Sequence, residues 1–301
     1  MKILITGGSG FVGYRLCEKF AKEGHDVEYT YLKNDCKIEN AKGHRVDITE
    51  ANAVMGLAGK YDVIVHSAAL ANVDYCQKNP EEARAHNVEG TRNFAQLTKK
   101  IGALLVYVST AHVFPASQKA YTENDVPEPE FAPSVYGRTK LEGEILVRQM
   151  GIGHLILRID QPYYWNNEWQ KDNTVTRTLK KLAKGEKVTE VEDWMNCPTF
   201  VPSFCDLALA LVGMGAQGVF HACGPDYVSR LEWGKAVARE FGYAQERILE
   251  INSASLNLPV ARPNVRLDSQ RAYGIAKVKN ASIAEGLRIM RREMEENQAR
   301  R

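Results

Sequence analysis

The sequence predicts an α/β protein: a doubly wound parallel sheet joined to a smaller C-terminal lobe. Two observations predict it. Short apolar runs alternate with amphipathic stretches through the first half, and the first run leads straight into a glycine-rich turn, ITGGSGFVG, at residues 5–13. Strands separated by helices need crossover connections, which lay the strands parallel and cover both faces of one sheet.

Each element follows from its residues. Residues 2–6 (KILIT), 27–31 (VEYTY), 62–66 (DVIVH), 104–108 (LLVYV) and 154–159 (HLILRI) carry the β-branched and aliphatic side chains of buried parallel strands. A further strand is expected ahead of Asp47 in HRVDIT. Helical patterns fill 11–23, 50–58, 80–100 and 134–150. The third opens at Pro80 with Glu81 and Glu82 in its first turn, which suits both the fixed proline φ and the helix dipole. The connection 114–133 holds prolines at 115, 127, 129 and 133, and its length favours a functional loop over a plain connector. Beyond residue 160 the pattern loosens. DQPYYWNNEW is aromatic and irregular, TVTRTLKKLAKG reads as a helix closed by Gly185, and GVFHACG as a strand. RLEWGKAVAREFG is a helix closed by Gly242, and the charged tail from about 285 is helical.

Composition excludes several classes. With 301 residues, 44% hydrophobic and 25% charged, the chain has the make-up of a soluble globular protein with a substantial core. A net charge of +2 gives no basic surface for nucleic acid or anionic lipid. No apolar run approaches the roughly 18–20 residues of a membrane span. The cysteines at 17, 36, 76, 197, 205 and 223 show no CxxC spacing, so reduced thiols are expected, with no metal site and no disulfide framework. A strand starting at residue 2 leaves no room for a signal peptide, and a cytoplasmic location is expected.

Gly7, Gly10 and Gly13 form G-x-x-G-x-x-G between a strand and a helix. Glycines there allow a sharp turn, let backbone approach a pyrophosphate at the helix N-terminus, and let helix and strand pack closely. The alternative is a glycine turn with no ligand. After the second strand, where an acid would bind ribose hydroxyls, stand Tyr31, Leu32 and Lys33. Lys33 can meet a 2′-phosphate, which favours NADP over NAD; a solvated loop lysine is the competing reading. Asp47 is positioned for the adenine amino group or for capping the helix after it. The small residues of HSAA at 66–69 suit strand ends crossed by a cofactor.

Tyr136 and Lys140, four apart in PSVYGRTKLEGE, project from one helix face. A phenol of pKa about 10 is a poor acid near neutrality, and a neighbouring ammonium is expected to bring that pKa down. The spacing alone is common and by itself fits a surface pair better. VYVSTAHVF adds Ser109 and Thr110 at the carboxyl edge of the fifth strand, where a hydroxyl can bond a substrate carbonyl or alcohol.

Together the glycine loop, Asp47, HSAALANVDYC, Asn87 in AHNVEGTRN, VSTAHVF, YGRTK, PTFVPSFCDLA and RPNVRLDS resemble an extended short-chain dehydrogenase/reductase. The branch is that of dTDP-4-dehydrorhamnose reductase and related nucleotide-sugar reductases, and the resemblance runs from residue 1 to about 290. It implies a Rossmann domain over 1–160 and a mainly substrate-binding lobe over 161–301, with elements of about 198–225 returning to the sheet. It implies an NAD(P)-dependent oxidoreductase with NADP or NAD as cofactor and a 4-keto nucleotide sugar as substrate. Thr110, Tyr136 and Lys140 become the catalytic triad: Tyr136 protonates the C4 carbonyl oxygen, Lys140 holds the nicotinamide ribose and tunes Tyr136, and Thr110 orients the carbonyl. Asn87 is mainly structural. The implied cofactor set is Gly7, Gly10, Phe11, Val12, Gly13, Lys33, Asp47, Ile48, Ala68 and Ala69, with Tyr136 and Lys140. Val73, His112, Gln161 and Arg262 face the substrate, and a homodimer is left open.

The chain departs from that branch at two places. Ala111 and His112 follow the threonine where an Asp and a Tyr are usual, and Gln161 stands where a Trp usually lines the pocket. The missing Asp-Glu pair also argues against a sugar 4,6-dehydratase. His112 reads either as a hydrogen-bond donor or second acid, or as a packed histidine. Arg262 reads either as a phosphate ligand or as half of a structural ion pair. The aromatics 163–165 read as lobe packing or as a stacking surface. Competing functions are a nucleotide-sugar 4-epimerase and a cofactor-binding regulatory subunit like the one that associates with methionine adenosyltransferase.

Overall fold

The computed structural model describes residues 1–299. Strands β1 (Lys2–Thr6), β2 (Asp26–Tyr31), β3 (Ala41–Arg45), β4 (Val63–His66) and β5 (Leu104–Thr110) are followed by a short β6 (Ala120–Tyr121). Then come β7 (His154–Ile159), β8 (Val188–Val191), β9 (Met195–Asn196), β10 (Gly218–His221), β11 (Val228–Ser229), β12 (Ile248–Ile251) and β13 (Arg266–Leu267). The helices are α1 (Phe11–Lys22), α2 (Ala51–Met55), α3 (Val73–Lys78), α4 (Pro80–Arg84), α5 (Gly90–Ile101) and α6 (Val135–Gln149). Beyond them lie α7 (Thr174–Ala183), α8 (Val201–Gly213), α9 (Arg230–Glu240), α10 (Gln270–Ala276) and α11 (Ile283–Ala299).

Seven strands form one parallel sheet in the order β10-β7-β5-β4-β1-β2-β3. The chain runs outward from β1 to β3, crosses back to β4, and continues outward the other way. That reversal beside β1 is a topological switch point, where open α/β sheets bind ligands beyond their carboxyl ends. One face is covered by α1, α8 and α10, through Leu16, Phe20, Phe204, Leu207, Leu211 and Tyr273. The other is covered by α2, α5 and α6, through Val54, Phe94, Leu97, Leu146 and Val147. The doubly wound sheet expected from the sequence is therefore present.

The long helix expected over 80–100 is a composite. α4 and α5 are joined by a π-turn at Ala85–Glu89, which turns Asn87 inward. The Asn87 amide accepts from Leu70 N at 2.8 Å and donates to Leu70 O and Thr139 Oγ1, tying the π-turn, α6 and the segment after β4 together. The loop 114–133 contains β6, which pairs with β13 more than 140 residues later. Two further short pairs organise the C-terminal elements: β9 with β11 beside Trp233, Tyr163 and Phe200, and β8 with β12 against Leu182, Leu231 and Ala238. All six cysteines are free thiols. No helix among the described residues is long and apolar enough to cross a membrane.

Candidate active site

β1 delivers the chain to Gly7, whose φ of +67° is left-handed backbone. A Cβ on Gly7 would stand 2.9 Å from Ala68 Cα, and one on Gly13 would overlap the Gly7 carbonyl and come within 2.8 Å of Ser67 Oγ. Glycine is required at both positions for α1 to approach β1 and β4. Gly10, the N-cap of α1, offers no side chain to the first-turn N–H groups, which are left for an anion. A cavity of about 250 Å³ lies along this turn, lined by Gly7, Ser9, Gly10, Thr30–Leu32, Val46–Ile48, Ser67–Ala69 and His86.

Asp47 accepts from Thr49 N at 2.9 Å and Thr49 Oγ1 at 2.7 Å, bonds that hold its carboxyl below the usual range. This local turn precedes α2, whose N-cap is Glu50 with no side-chain bond, so Asp47 lines the cavity without capping the helix. Lys33 is exposed and stands outside the cavity wall. Arg45, passed over in the sequence, donates Nε to Leu32 O at 3.2 Å and brings a guanidinium to the same rim.

Ser67 and Ala69 are shared with a second cavity of about 360 Å³. Phe11, Val12, Val73, Ser109, Thr110, His112, Tyr136, Lys140, Asp160, Gln161 and Lys171–Asn173 help to line it. Thr110 ends β5, and Tyr136 and Lys140 occupy the first turns of α6, capped by Ser134 accepting from Gly137 N at 3.1 Å. Gly137 lies so close to the His112 carbonyl that a Cβ there would overlap it, and this contact sets the His112 ring edge-on to Tyr136 with centroids 5.7 Å apart.

The electrostatics differ from the sequence expectation. Burial pushes the Tyr136 phenol up to about 12, against a smaller lowering by a hydrogen bond from Thr110. Burial also brings the Lys140 ammonium down to about 7, against the attraction of Glu144. Desolvation outweighs the Thr110 hydrogen bond, so Tyr136 is held protonated at neutral pH, not shifted toward phenolate. His112 is pushed down to about 4, first by burial and then by the charge of Arg262, and its Nδ1 has no partner. A neutral imidazole carries no imidazolium proton near pH 7, so in this arrangement His112 offers a hydrogen bond to the cleft.

Other side chains have structural partners. Ser109 donates to Glu144 Oε1 at 2.6 Å, so its hydroxyl proton is committed within the protein and only Thr110 offers the expected hydroxyl. Arg262 pairs with Asp74 Oδ2 at 2.7 Å, donates to Val260 O, and lines a separate cavity beside Trp194. The ion-pair reading holds for it. Gln161 has φ +38° and accepts from Arg230 Nη1 at 3.0 Å. Tyr163 packs on Phe200 and Trp233, Tyr164 on Phe200, and Trp165 on Phe241, which is packing at the lobe boundary. The segment after them reaches the glycine turn: Gln170 Nε2 donates to Ser9 O and Gly10 O at 3.2 Å, and Trp169 Nε1 to Ser9 O at 3.3 Å. Nothing in the composition of 166–172 signals that contact. Among the described residues no cluster of His, Cys, Asp and Glu is arranged to hold a metal ion.

The family model described as RmlD substrate binding domain matches residues 1–295. The chain belongs to this family. Among curated relatives, the methionine adenosyltransferase 2 subunit beta of Bos taurus is 29% identical over 280 residues, covering 90% of this chain and 81% of that one. The dTDP-4-dehydrorhamnose reductase of Mycolicibacterium smegmatis is 29% identical over 274 residues, covering 90% and 79%. The crystal structure of dTDP-4-dehydrorhamnose reductase from Bacillus anthracis in complex with NADP superposes with a TM-score of 0.82 at 24% identity, over 97% of this chain and 98% of that one. At that identity the superposition speaks for the fold. Within this RmlD-family chain, the cleft that holds Tyr136 is also lined by Asp160, Gln161 and His112.

Proposed function

We propose that this chain is an NAD(P)H-dependent reductase of a 4-keto nucleotide sugar. One observation carries the reading: Tyr136, Lys140 and Thr110 line a single cleft that runs into the glycine turn through Ser67 and Ala69. The cofactor fits the residues present, because Gly7 and Gly13 leave a cradle that a Cβ would fill and the uncapped first turn of α1 suits a pyrophosphate. When bound, the dinucleotide supplies the hydride that reduces the carbonyl carbon.

The chain's own residues do the rest. Tyr136, protonated at neutral pH, gives its phenolic proton to the carbonyl oxygen, and the product is the alcohol. Thr110 orients that oxygen through its hydroxyl. Lys140 holds the cofactor ribose and, while charged, stabilises the phenolate left behind. Phe11 and Val12 face the nicotinamide end, Asp47 and Ile48 the adenine end, and Ala68 and Ala69 the strand crossing between them. Arg45, whose Nε donates to the carbonyl of Leu32 next to Lys33, is the cation available to a 2′-phosphate, which favours NADP. Val73, His112 and Gln161 face the sugar. In this proposal residues 1–160 are the cofactor domain, residues 161–301 mainly the substrate lobe, and the free thiols fit a cytoplasmic setting.

A second reading, a cofactor-binding regulatory subunit, is favoured by the 29% identity to the adenosyltransferase subunit, equal to that with the reductase. One assay separates the two. Purified protein is mixed with NADPH or NADH and a panel of dTDP- and UDP-linked 4-keto sugars. Loss of reduced-nicotinamide absorbance matched by alcohol formation supports the reductase. Cofactor binding without turnover of any sugar overturns it.

A further inference from the structure

Asp160 is the feature of the cleft that the reductase reading leaves without a task. It follows the last residue of β7, lines the cavity that holds Tyr136, and is 4% exposed. Both of its side-chain-resolved bonds fall on Oδ2, from Cys197 N at 2.8 Å and Asn196 Nδ2 at 3.4 Å. The Gln161 backbone N–H also approaches the carboxylate. No Lys, Arg or His among the described residues forms an ion pair with it, and Oδ1 accepts from no side chain. Arg230, the cation acting on it from a distance, spends its contacts on Gln161 and Glu190. Two neighbouring polar atoms are buried without partners: His112 Nδ1 and Asn196 Oδ1. Buried carboxylates are normally paired, because an unpaired charge away from water is costly.

We propose that Asp160 is a specificity-determining residue, whose Oδ1 accepts a hydrogen bond from a donor substituent, hydroxyl or ammonium, on the sugar beside the reacting carbonyl. This rests on the reductase reading and deepens it. A pocket walled by a carboxylate oxygen that no side chain engages selects for a donor, because a substrate lacking one displaces water from that oxygen without replacing its bond. The neutral His112 ring supplies one more donor or acceptor in the same cleft, so the sugar face is read by polar contacts.

The test compares matched 4-keto nucleotide sugars that carry a hydroxyl, an amino group or only hydrogen at the carbon next to the carbonyl. Wild-type kcat/KM is expected to favour a donor-bearing sugar over the deoxy sugar by about tenfold or more. Asp160→Ala is expected to bring that ratio to within about twofold while keeping turnover of the deoxy sugar. Asp160→Asn, which keeps an acceptor for Cys197 N and guards against a folding failure, separates the sources. Recognition of a hydroxyl survives it, and preference for an ammonium is lost. An unchanged ratio in both variants overturns the proposal while leaving the reductase standing. Absence of any wild-type turnover overturns the reductase. The specificity claim is then decided by calorimetric binding of the same sugars with NADP present: a wild-type preference erased in Asp160→Ala upholds it, and equal binding overturns it.

Discussion

Tyr107 holds Lys140 from two sides. The Lys140 ammonium lies 3.9 Å from the centroid of the Tyr107 ring, and the Tyr107 hydroxyl donates to the Lys140 backbone carbonyl at 3.2 Å. The aromatic face offers a cation only part of what water offers, which is why burial brings this lysine down to about 7. Lys140 is therefore charged below pH 7 and loses its proton as pH rises through that value, well before ordinary lysines do. In protein with isotopically methylated lysines, one resonance is expected to titrate near pH 7 and to vanish in Lys140→Met. A spectrum in which every lysine titrates near 10 would contradict it.

Tyr136 is half-buried beside Thr110 and stays protonated at neutral pH. Replacing it with Phe removes the proton and little volume. Turnover of a 4-keto sugar is expected to fall by about 10²–10⁴-fold, the usual worth of a placed general acid. The dissociation constant for NADP, measured by fluorescence, should stay within about twofold. Retained turnover would assign the proton to another group.

Glu144 and Arg158 form a fully buried pair behind the site. Arg158 donates Nε to Oε1 at 2.9 Å and Nη2 to Oε2 at 2.6 Å, and Ser109 adds a third bond to Oε1. Glu144 is one turn beyond Lys140 on α6, and Ser109 immediately precedes Thr110, so the pair fixes both sides of the triad. Glu144→Gln leaves the guanidinium uncompensated and is expected to cost about 3–5 kcal/mol in urea unfolding. The double variant Glu144→Leu with Arg158→Met should cost less than the single one. The reverse order would show that the charges themselves stabilise the fold.

The strands of the large sheet are legible because each is a run of buried aliphatics long enough to carry its own signature, as in KILIT and HLILRI. β6, β9, β11 and β13 are not, since two residues apiece take strand geometry only from partners such as Tyr121 and Leu267, far apart in the chain. The gathering of Thr110, Tyr136 and Lys140 follows from strand ends and helix spacing, both local. Charge states do not. The neutral His112, the protonated Tyr136 and the Ser109 hydroxyl bound to Glu144 are set by burial and by contacts across the fold. Asp160 carried one available signal, an acid at the carboxyl end of a buried strand, where α/β ligand sites form.

That acid has a stability signature of its own. Burial raises the Asp160 carboxyl to about 6, above the roughly 3.9 of an unfolded chain. Between pH 4 and 6 the native state binds more protons than the unfolded one, so this group's contribution to stability declines as pH rises through that window. Below about pH 4 both states are protonated and the cost is absent; above 6 it is fully present, on the order of 3 kcal/mol for a shift of about two units. Asp160→Asn keeps the acceptor for Cys197 and removes the charge. It is expected to unfold at a higher temperature than wild type at pH 7.5, with the gap closing toward pH 4. Equal stability at both pH values would mean that the carboxylate is solvated or paired in solution. A stabilised but less discriminating variant would instead show that the chain maintains an unfavourable buried charge for its role in the cleft.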